Sequence, residues 1–202
     1  MNLRTPAPCS YFQLTENLYA PDGSDSWVLK GPLDEQGARL ANPWKYCIGE
    51  RLEVADMTES PTFQIVQPAG SPVDFNISPL GTPVVTARVV HLFEQLGIQD
   101  VQFLPTRIAS HPEPWFILNP TRVVKCIDDA RSRHVDYFKP EDGLPKKVGT
   151  YRAVHGMRID PTKVEGARIF RPWGWLVALI VSQDIKEALE QDQITGAKFI
   201  EV

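Results

Sequence analysis

The chain has 202 residues, of which 43% are hydrophobic and 23% are charged, and its formal net charge is −4. This length suits one substantial core or one domain with two lobes, and the composition is ordinary for a soluble globular protein. The longest apolar run, from Trp173 to Val181, is about half as long as a membrane-spanning helix, which argues against a transmembrane protein.

The cysteines and the N-terminal residues indicate where the protein acts. The three cysteines (Cys9, Cys47 and Cys126) are an odd, widely spaced set without a Cys-x-x-Cys pair. Such a set suits a reducing compartment and a fold without a disulfide framework. The N-terminal residues include no apolar segment of the signal-peptide type. We therefore expect a cytoplasmic protein.

The first 80 residues predict an irregular β structure. Most of the 18 prolines of the chain fall before residue 121, and proline favours short extended segments and turns. Alternating and β-branched runs predict four short strands, at residues 10–15, 27–29, 62–66 and 73–77. We expect residues 1–80 to form a mostly antiparallel, irregular β-rich lobe.

Two later segments, residues 84–104 and 180–200, align without a gap at an offset of 96 positions. Each begins with an apolar pair and a hydroxyl residue (Thr86 or Ser182) that can cap a helix, continues as a short amphipathic helix, and ends in an apolar strand. Five of the 21 aligned columns are identical. Duplication explains this likeness. Convergence explains it as well, because any such unit that packs on a sheet needs apolar residues in the same columns.

Further strands are predicted around these two units, at residues 115–118, 121–127, 152–159, 168–171 and 176–181. The polar residues 128–150 are predicted to be a long excursion. Together these assignments predict an α+β fold, in which the N-terminal β lobe of residues 1–80 is followed by a mixed sheet with two short amphipathic helices in residues 81–202. We expect the two regions to form one continuous structural unit.

Residue types that carry catalytic or metal chemistry are not clustered in the sequence. The four histidines are at least 20 residues apart, and His111-Pro-Glu113 is only the first half of a zinc deaminase pattern. No glycine-rich nucleotide motif and no nucleophile elbow occurs. We therefore predict no catalytic, metal or cofactor site and no enzyme activity. The alternative is a small cysteine-dependent enzyme that uses Cys126 with His134 or His155.

Charge is distributed unevenly along the chain. Residues 1–100 have 6 Lys and Arg against 12 Asp and Glu, whereas residues 101–202 have 15 against 13. The acidic first half argues against direct binding of nucleic acid and favours a basic partner. Four arginines of the late strands are expected to form ion pairs with this acidic half rather than an anion-binding face: Arg152, Arg158, Arg168 and Arg171.

The loop-rich first half also contains tryptophans. Surface Trp and Tyr are the usual anchors of protein interfaces, and loops are natural places to present them. Acidic residues and tryptophans of this half are therefore the predicted contacts of a protein partner: Asp22, Asp25, Trp27, Asp34, Glu35, Trp44 and Glu50.

The second half resembles the immunity proteins of family eleven in bacterial polymorphic toxin systems, which are also catalogued as a domain of unknown function. Five segments carry the resemblance, two of them in the middle region of the family and three in its C-terminal signature: residues 82–97, 115–129, 168–171, 180–189 and 195–202. The resemblance covers about residues 80–202. Two further segments, residues 29–34 and 157–164, are similar to members that are common in predatory myxobacteria.

The resemblance implies a non-catalytic inhibitor that binds a cognate toxin made by the same cell or its kin. Such proteins commonly cover the active site of the toxin or lock it in an inactive state. A toxin with a basic substrate cleft, such as a nuclease, suits the acidic first half of this chain. No functional residues carry over from the family. A scaffold or regulatory binding module unrelated to toxins is a third hypothesis.

Overall fold

The computed structural model describes residues 10–53, 60–67 and 69–202. In these ranges the chain has the predicted α+β fold, with two mixed sheets, a two-stranded hairpin and two α-helices. None of the helices described is long and apolar enough to cross a membrane. The elements in chain order are β1 (Tyr11–Glu16), β2 (Leu29–Leu33), β3 (Thr62–Ile65), β4 (Phe75–Ile77), β5 (Pro83–Thr86), α1 (Ala87–Gln95), β6 (Val101–Ile108), β7 (His111–Pro120), β8 (Val123–Val124), β9 (His134–Tyr137), β10 (Tyr151–His155), β11 (Ile169–Pro172), β12 (Leu179–Ser182), α2 (Gln183–Gln191) and β13 (Ala197–Glu201).

The strands are divided between two large sheets. One sheet has six strands in the order β2-β3-β6-β7-β5-β4, and the other has five in the order β13-β1-β12-β11-β8. Each sheet includes one parallel pair, β3 with β6 and β11 with β8, among antiparallel neighbours. Both sheets combine strands from either side of residue 80, because β1 lies between β12 and β13 while β2 to β4 join β5 to β7. The predicted division at residue 80 stays a prediction about folding units, but the sheets themselves cross it.

The two similar sequence segments adopt the same strand–helix–strand path. β5 and β6 lie on either side of β7, and β12 and β13 lie on either side of β1, with each central strand antiparallel to both neighbours. The helices α1 and α2 connect the outer strands and contact each other. Five helix residues are buried in one common core: Val89, Leu92, Phe93, Ile185 and Leu189. These two units, β5–α1–β6 and β12–α2–β13, form the framework of the molecule.

The two helices end in the same way. The N–H of Leu96 donates to the carbonyl of Leu92 at 3.0 Å, and the N–H of Asp192, 96 positions later, donates to Ala188 at 3.0 Å. The next residue of each unit adopts a left-handed backbone, with φ of 63° at Gly97 and 52° at Gln193. This is the usual way to stop a helix, because it turns the chain away from the helix axis.

The helix starts correct one detail of the sequence prediction. Thr86 and Ser182 occupy the N-cap positions, but neither side chain bonds a backbone N–H of its helix. Instead, the Thr86 hydroxyl donates to the Asp74 carboxylate at 2.9 Å, and the Ser182 hydroxyl donates to Asp184. The predicted side-chain caps are therefore wrong, because a nearby carboxylate is the stronger partner for a hydroxyl group.

Several strand predictions also differ from the structure. Of the predicted strand 121–127 only β8 forms, because the N–H of Asp160 bonds the carbonyl of Cys126 and the N–H of Asp128 bonds that of Arg158, which draws the chain away from β11. The excursion 128–150 includes a strand, β9, that pairs with β10. The second strand begins at Leu29 and runs through Pro32, which is tolerated because β2 is an edge strand.

Candidate functional site

A cavity of about 690 Å³ opens where three loops meet. These are the segment from Trp44 to Glu50, the connection between β9 and β10, and the turn between β11 and β12. The wall is mainly aromatic and aliphatic, with nine such side chains: Trp44, Ile48, Val123, Phe138, Tyr151, Trp173, Trp175, Leu176 and Val177. We call this feature the aromatic cavity.

Large apolar side chains of the aromatic cavity face solvent. Trp44, Trp173 and Val177 are 53%, 40% and 54% exposed. A single exposed apolar residue needs no explanation, but a contiguous exposed group around a concave surface marks a binding site. The aromatic cavity is therefore the candidate site for a partner.

The turn between β11 and β12 is held in place by backbone contacts. The N–H of Trp173 donates to the carbonyl of Val124 at 2.8 Å, and the N–H of Tyr151 donates to Gly174 at 3.1 Å. Gly174 has a φ of 78°, and a Cβ there would lie 3.0 Å from the Tyr151 ring. Glycine at this position thus allows the turn to lie directly against β10 and fixes Trp173 at the rim.

Arg171 lies behind the wall of the aromatic cavity. Its side chain is fully buried, and its Nη2 donates to the carbonyl of Gly81 at 3.0 Å while Nη1 donates to that of Leu176. Within the described part of the chain it has no carboxylate partner, and its Nε has no hydrogen-bond partner. Burial lowers its pKa to about 10, so the guanidinium stays charged at neutral pH.

Two lysines lie on ring faces at the aromatic cavity. The Lys125 Nζ is 4.8 Å from the ring centroid of Trp173, and the Lys147 Nζ is 5.2 Å from that of Phe138. Neither ammonium group forms an ion pair with any residue of the described ranges. Cation–π contacts of this kind hold each charge near the apolar wall without neutralising it.

The predicted partner contacts are not all brought together. Trp44 and Glu50 lie at the aromatic cavity. Trp27, in contrast, is buried, with its ring 4.3 Å from that of His111 and its Nε1 donating to the carbonyl of Gly70 at 2.8 Å. Trp27 therefore packs in the core, and we do not carry it forward as a contact residue.

The other four acidic residues of the predicted set are not among the residues that line the aromatic cavity. Asp22 and Asp34 stabilise their own turns: Asp22 accepts from the Ser24 N–H at 2.9 Å, and Asp34 accepts from two backbone N–H groups. Hydrogen bonds from Ser24 lower the pKa of Asp22. Asp25 accepts from the side chain of Gln67, and Glu35 borders a separate depression at the β6–β7 turn.

The structure contradicts the alternative of a cysteine-dependent enzyme. Cys126 is fully buried among apolar side chains, including Ile159, Phe170 and Ile180, and burial raises its pKa to about 12. Its thiol is therefore protonated and inaccessible, the opposite of what a nucleophile requires. His134 and His155 are exposed on the β9–β10 hairpin. Cys9 lies outside the described residues.

The predicted ion pairs between late arginines and the acidic first half are also wrong. Arg152 pairs with Asp136 and Asp142, and Arg168 pairs with Asp184, all within the second half. Hydrogen bonding from Arg152 lowers the pKa of Asp136. The partners come from β9, from the connection between β9 and β10, and from α2, which lie closer to these arginines than the acidic loops of the first half. Two arginines have backbone carbonyls instead of acidic partners in the described ranges: Arg158 and Arg171.

Sequence reasoning missed most of the aromatic cavity. In the sequence Trp173 is only one of five tryptophans, and Phe138, Lys147 and Val177 have no signal of their own. They come from separate loops, so no spacing in the sequence relates them. A usable signal is the pair of tryptophans on either side of Gly174 directly before a buried strand, which places large side chains in a tight turn.

Nearly the whole chain matches a known protein family. The model of the Immunity protein family (Imm11) matches residues 8–202, which is nearly the whole chain. No curated protein matches the sequence. In the part of the chain that the structure describes, no group of three or more His, Cys, Asp or Glu side chains could hold a metal ion.

Proposed function

Because the chain belongs to the Imm11 immunity protein family over residues 8–202, we propose that it binds a cognate bacterial toxin domain and neutralises it. Membership of the family is the observation that carries this proposal, since it supports an immunity role. Neutralisation is stoichiometric binding that covers the active site of the toxin. In this proposal the protein acts in the cytoplasm. It protects its own cell during contact-dependent competition, as part of a polymorphic toxin system.

The aromatic cavity is the proposed contact surface. Trp44 and Trp173 combine large apolar area with little conformational freedom, which makes tryptophan a frequent hot spot of protein interfaces. The buried Arg171 and the backbone contacts of the turn between β11 and β12 fix the rim before binding. A preformed rim lowers the entropy cost of association.

The acidic loops support a partner with a basic surface. Asp22, Asp25 and Glu35 are exposed, and complementary charge steers the approach of a partner over longer distances than direct contacts. A nuclease-type toxin, whose substrate cleft is basic, fits this surface. Direct binding of nucleic acid or of a membrane is not part of the proposal.

The test is growth rescue in cells that express the toxin domain encoded beside this chain. We expect rescue by the natural protein and direct binding of the purified pair. The double variant Trp44→Ala/Trp173→Ala should weaken binding by roughly a hundredfold, as expected for loss of two hot-spot residues. The matched control is Leu18→Ala/Tyr19→Ala, which removes two exposed large side chains outside the aromatic cavity.

Two results would contradict the proposal. Growth that is no better with this protein than without it would exclude the immunity role for that toxin. Tight binding to a different protein, with no effect on the toxin, would support the scaffold hypothesis instead. Equal loss of binding in both double variants would leave the role intact and remove the aromatic cavity as its surface.

A further inference from the structure

We propose that the aromatic cavity receives an acidic segment of the toxin domain, in which carboxylate side chains flank an apolar anchor. This inference rests on the proposed function and names the chemistry of the contact. The net charge of −4 suggests a basic partner, but the charge at this site is positive and favours an acidic one.

The first observation is the buried guanidinium of Arg171. The guanidinium lies directly behind the wall, because Leu176, whose carbonyl accepts a hydrogen bond from Nη1, lines the aromatic cavity. The guanidinium has no carboxylate partner in the described ranges. A charge in a low-dielectric interior is screened less than one in water, so it acts through the wall on whatever binds there.

The second observation is the pair of lysines at the rim. Lys147 lines the aromatic cavity and lies over Phe138, and Lys125 lies over Trp173. Both side chains are exposed and lack an ion-pair partner among the described residues. Each ammonium group can therefore bind an incoming carboxylate without first breaking an existing pair.

The remaining charges at the site do not cancel these three cations. Glu50 is the one acidic side chain among the residues that line the aromatic cavity. Arg152 also lines it, but Asp136 and Asp142 already neutralise that guanidinium. Three cations without acidic partners against one carboxylate leave a net positive site with an apolar wall.

An acidic polypeptide fits this arrangement better than a nucleic acid does. Binding of a nucleic-acid backbone uses many phosphate contacts, on the order of 6–10 in a typical complex, whereas only two exposed unpaired lysines lie at this site. The wall is concave and apolar, and it presents tryptophan side chains that cover an aliphatic or aromatic anchor. The carboxylates beside that anchor would then meet Lys125 and Lys147.

Charge reversal at the rim tests the inference. The variant Lys125→Glu/Lys147→Glu should weaken binding of the neighbouring toxin domain by roughly tenfold or more, and should reduce the dependence of affinity on salt. The matched control, Lys30→Glu/Lys198→Glu, makes the same change of charge at exposed positions of β2 and β13. Lys198 lies at the opposite edge of the five-stranded sheet from β8, so the control should change affinity by less than roughly threefold.

The outcomes separate the two proposals. If the natural protein does not bind the toxin domain at all, the proposed function fails. If it binds and the rim variant binds equally well or more tightly, the acidic segment is excluded while the immunity role stands. A single-stranded oligonucleotide is the competing probe: binding of this oligonucleotide that is lost in the rim variant, with toxin affinity unchanged, would also overturn the inference.

Tryptophan fluorescence locates the contact independently. Trp44 and Trp173 are the exposed tryptophans of the described chain, so toxin binding at the aromatic cavity should shift the emission to shorter wavelength. The shift should become smaller in Trp44→Phe/Trp173→Phe, which keeps an aromatic ring at each site and leaves only the partly buried Trp175 at the aromatic cavity. A shift of equal size in that variant would place the contact elsewhere and contradict the inference.

Discussion

The two strand–helix–strand units follow the same backbone path but use opposite charges at equivalent positions. Arg88, in the first turn of α1, pairs with Asp74, and Asp184, the residue 96 positions later in α2, pairs with Arg168. In each unit the helix residue reaches a partner that precedes it in the chain. The ion pair thus forms at the same position of both helices, but α1 contributes the cation and α2 contributes the anion.

The reason for this difference lies at the other ends of the helices. Arg88 donates to the carbonyl of Asp192, the C-cap residue of α2, at 2.7 Å, and Arg168 donates to that of Leu96, the C-cap residue of α1, at 2.8 Å. The last carbonyls of a helix have no partner within it and need an external donor. At each helix C-terminus a guanidinium is therefore the donor to the last carbonyl. One comes from α1 itself (Arg88), and the other comes from the residue directly before β11 (Arg168).

The largest expected effect tests whether the two units share one core. Phe93 and Leu189 are equivalent, and both are buried in the common cluster. Phe93→Ala should lower the free energy of unfolding by about 3–5 kcal/mol and Leu189→Ala by about 2–5 kcal/mol, because each leaves a cavity. Chemical denaturation followed by circular dichroism measures both.

Both substitutions should shift one and the same unfolding transition. Two separate transitions, each moved by only one substitution, would instead show that the two strand–helix–strand units unfold independently. The conservative variants Phe93→Leu and Leu189→Met are the controls, since near-equal volume should cost less than about 1.5 kcal/mol.

The reversed ion pairs should differ in strength. The Asp74 side chain is 10% exposed and accepts from Thr86, Arg88 and both the N–H and the hydroxyl of Thr195. Asp74→Ala should therefore cost roughly 2–4 kcal/mol, because it leaves buried donors without partners. The Asp184 side chain is 49% exposed, and Asp184→Ala should cost about 1 kcal/mol or less.

Thermal unfolding of the two alanine variants measures this difference directly. Asp74→Asn, which keeps one acceptor oxygen, should recover part of the loss. Equal destabilisation by Asp74→Ala and Asp184→Ala would show that the two pairs are equivalent in energy as well as in position, and would contradict the role of burial.

Sequence reasoning located the two units but not the contacts between them. The apolar columns repeat with the period of a helix, so spacing alone predicts that Val89 and Ile185 face the core, and both are buried there. Asp74 and Thr195 are 121 residues apart, and no local pattern relates them. The hydroxyl groups of Thr86 and Ser182 were assigned to backbone N–H groups because their carboxylate partners depend on how the chain folds.

The aromatic cavity was beyond sequence reasoning for a related reason. Trp44 and Trp27 are both predicted contacts because they belong to the loop-rich first half of the chain. Trp44 is exposed, whereas Trp27 is buried. Composition predicts that some tryptophans are exposed, but only tertiary packing decides which of them are.

Substitutions in the turns that end the two helices should change the stability of the protein in opposite directions. Gly97 and Gln193 share a left-handed backbone, which costs an L-residue roughly 1–2 kcal/mol. Gly97→Ala should therefore destabilise by about 1 kcal/mol, although a Cβ there meets no atom within 4 Å. Gln193→Gly should relieve strain and stabilise by up to about 1 kcal/mol, less the entropy cost of glycine. Denaturation midpoints compare the two, and a loss of stability in both variants would show that side-chain contacts of Gln193 outweigh its backbone strain.

The smallest expected effect is the pH dependence of the pair in the second unit. Partial burial acts to raise the pKa of Asp184, but hydrogen bonds from Ser182 and Arg168 outweigh it, so the pKa in the folded state is below the ordinary value of 3.8. Between the two pKa values the unfolded chain binds more protons, so the stabilisation is complete above about pH 4 and is lost as pH falls through the folded pKa.

Urea denaturation of the natural protein and of Asp184→Asn measures this effect. The natural protein should be more stable by about 0.5 kcal/mol at pH 7, and the difference should close towards pH 2. In an Arg168→Met background the gap at pH 7 should shrink, because the guanidinium that favours the charged carboxylate is gone. A gap that stays constant with pH would show that the carboxylate acts through packing rather than through its charge.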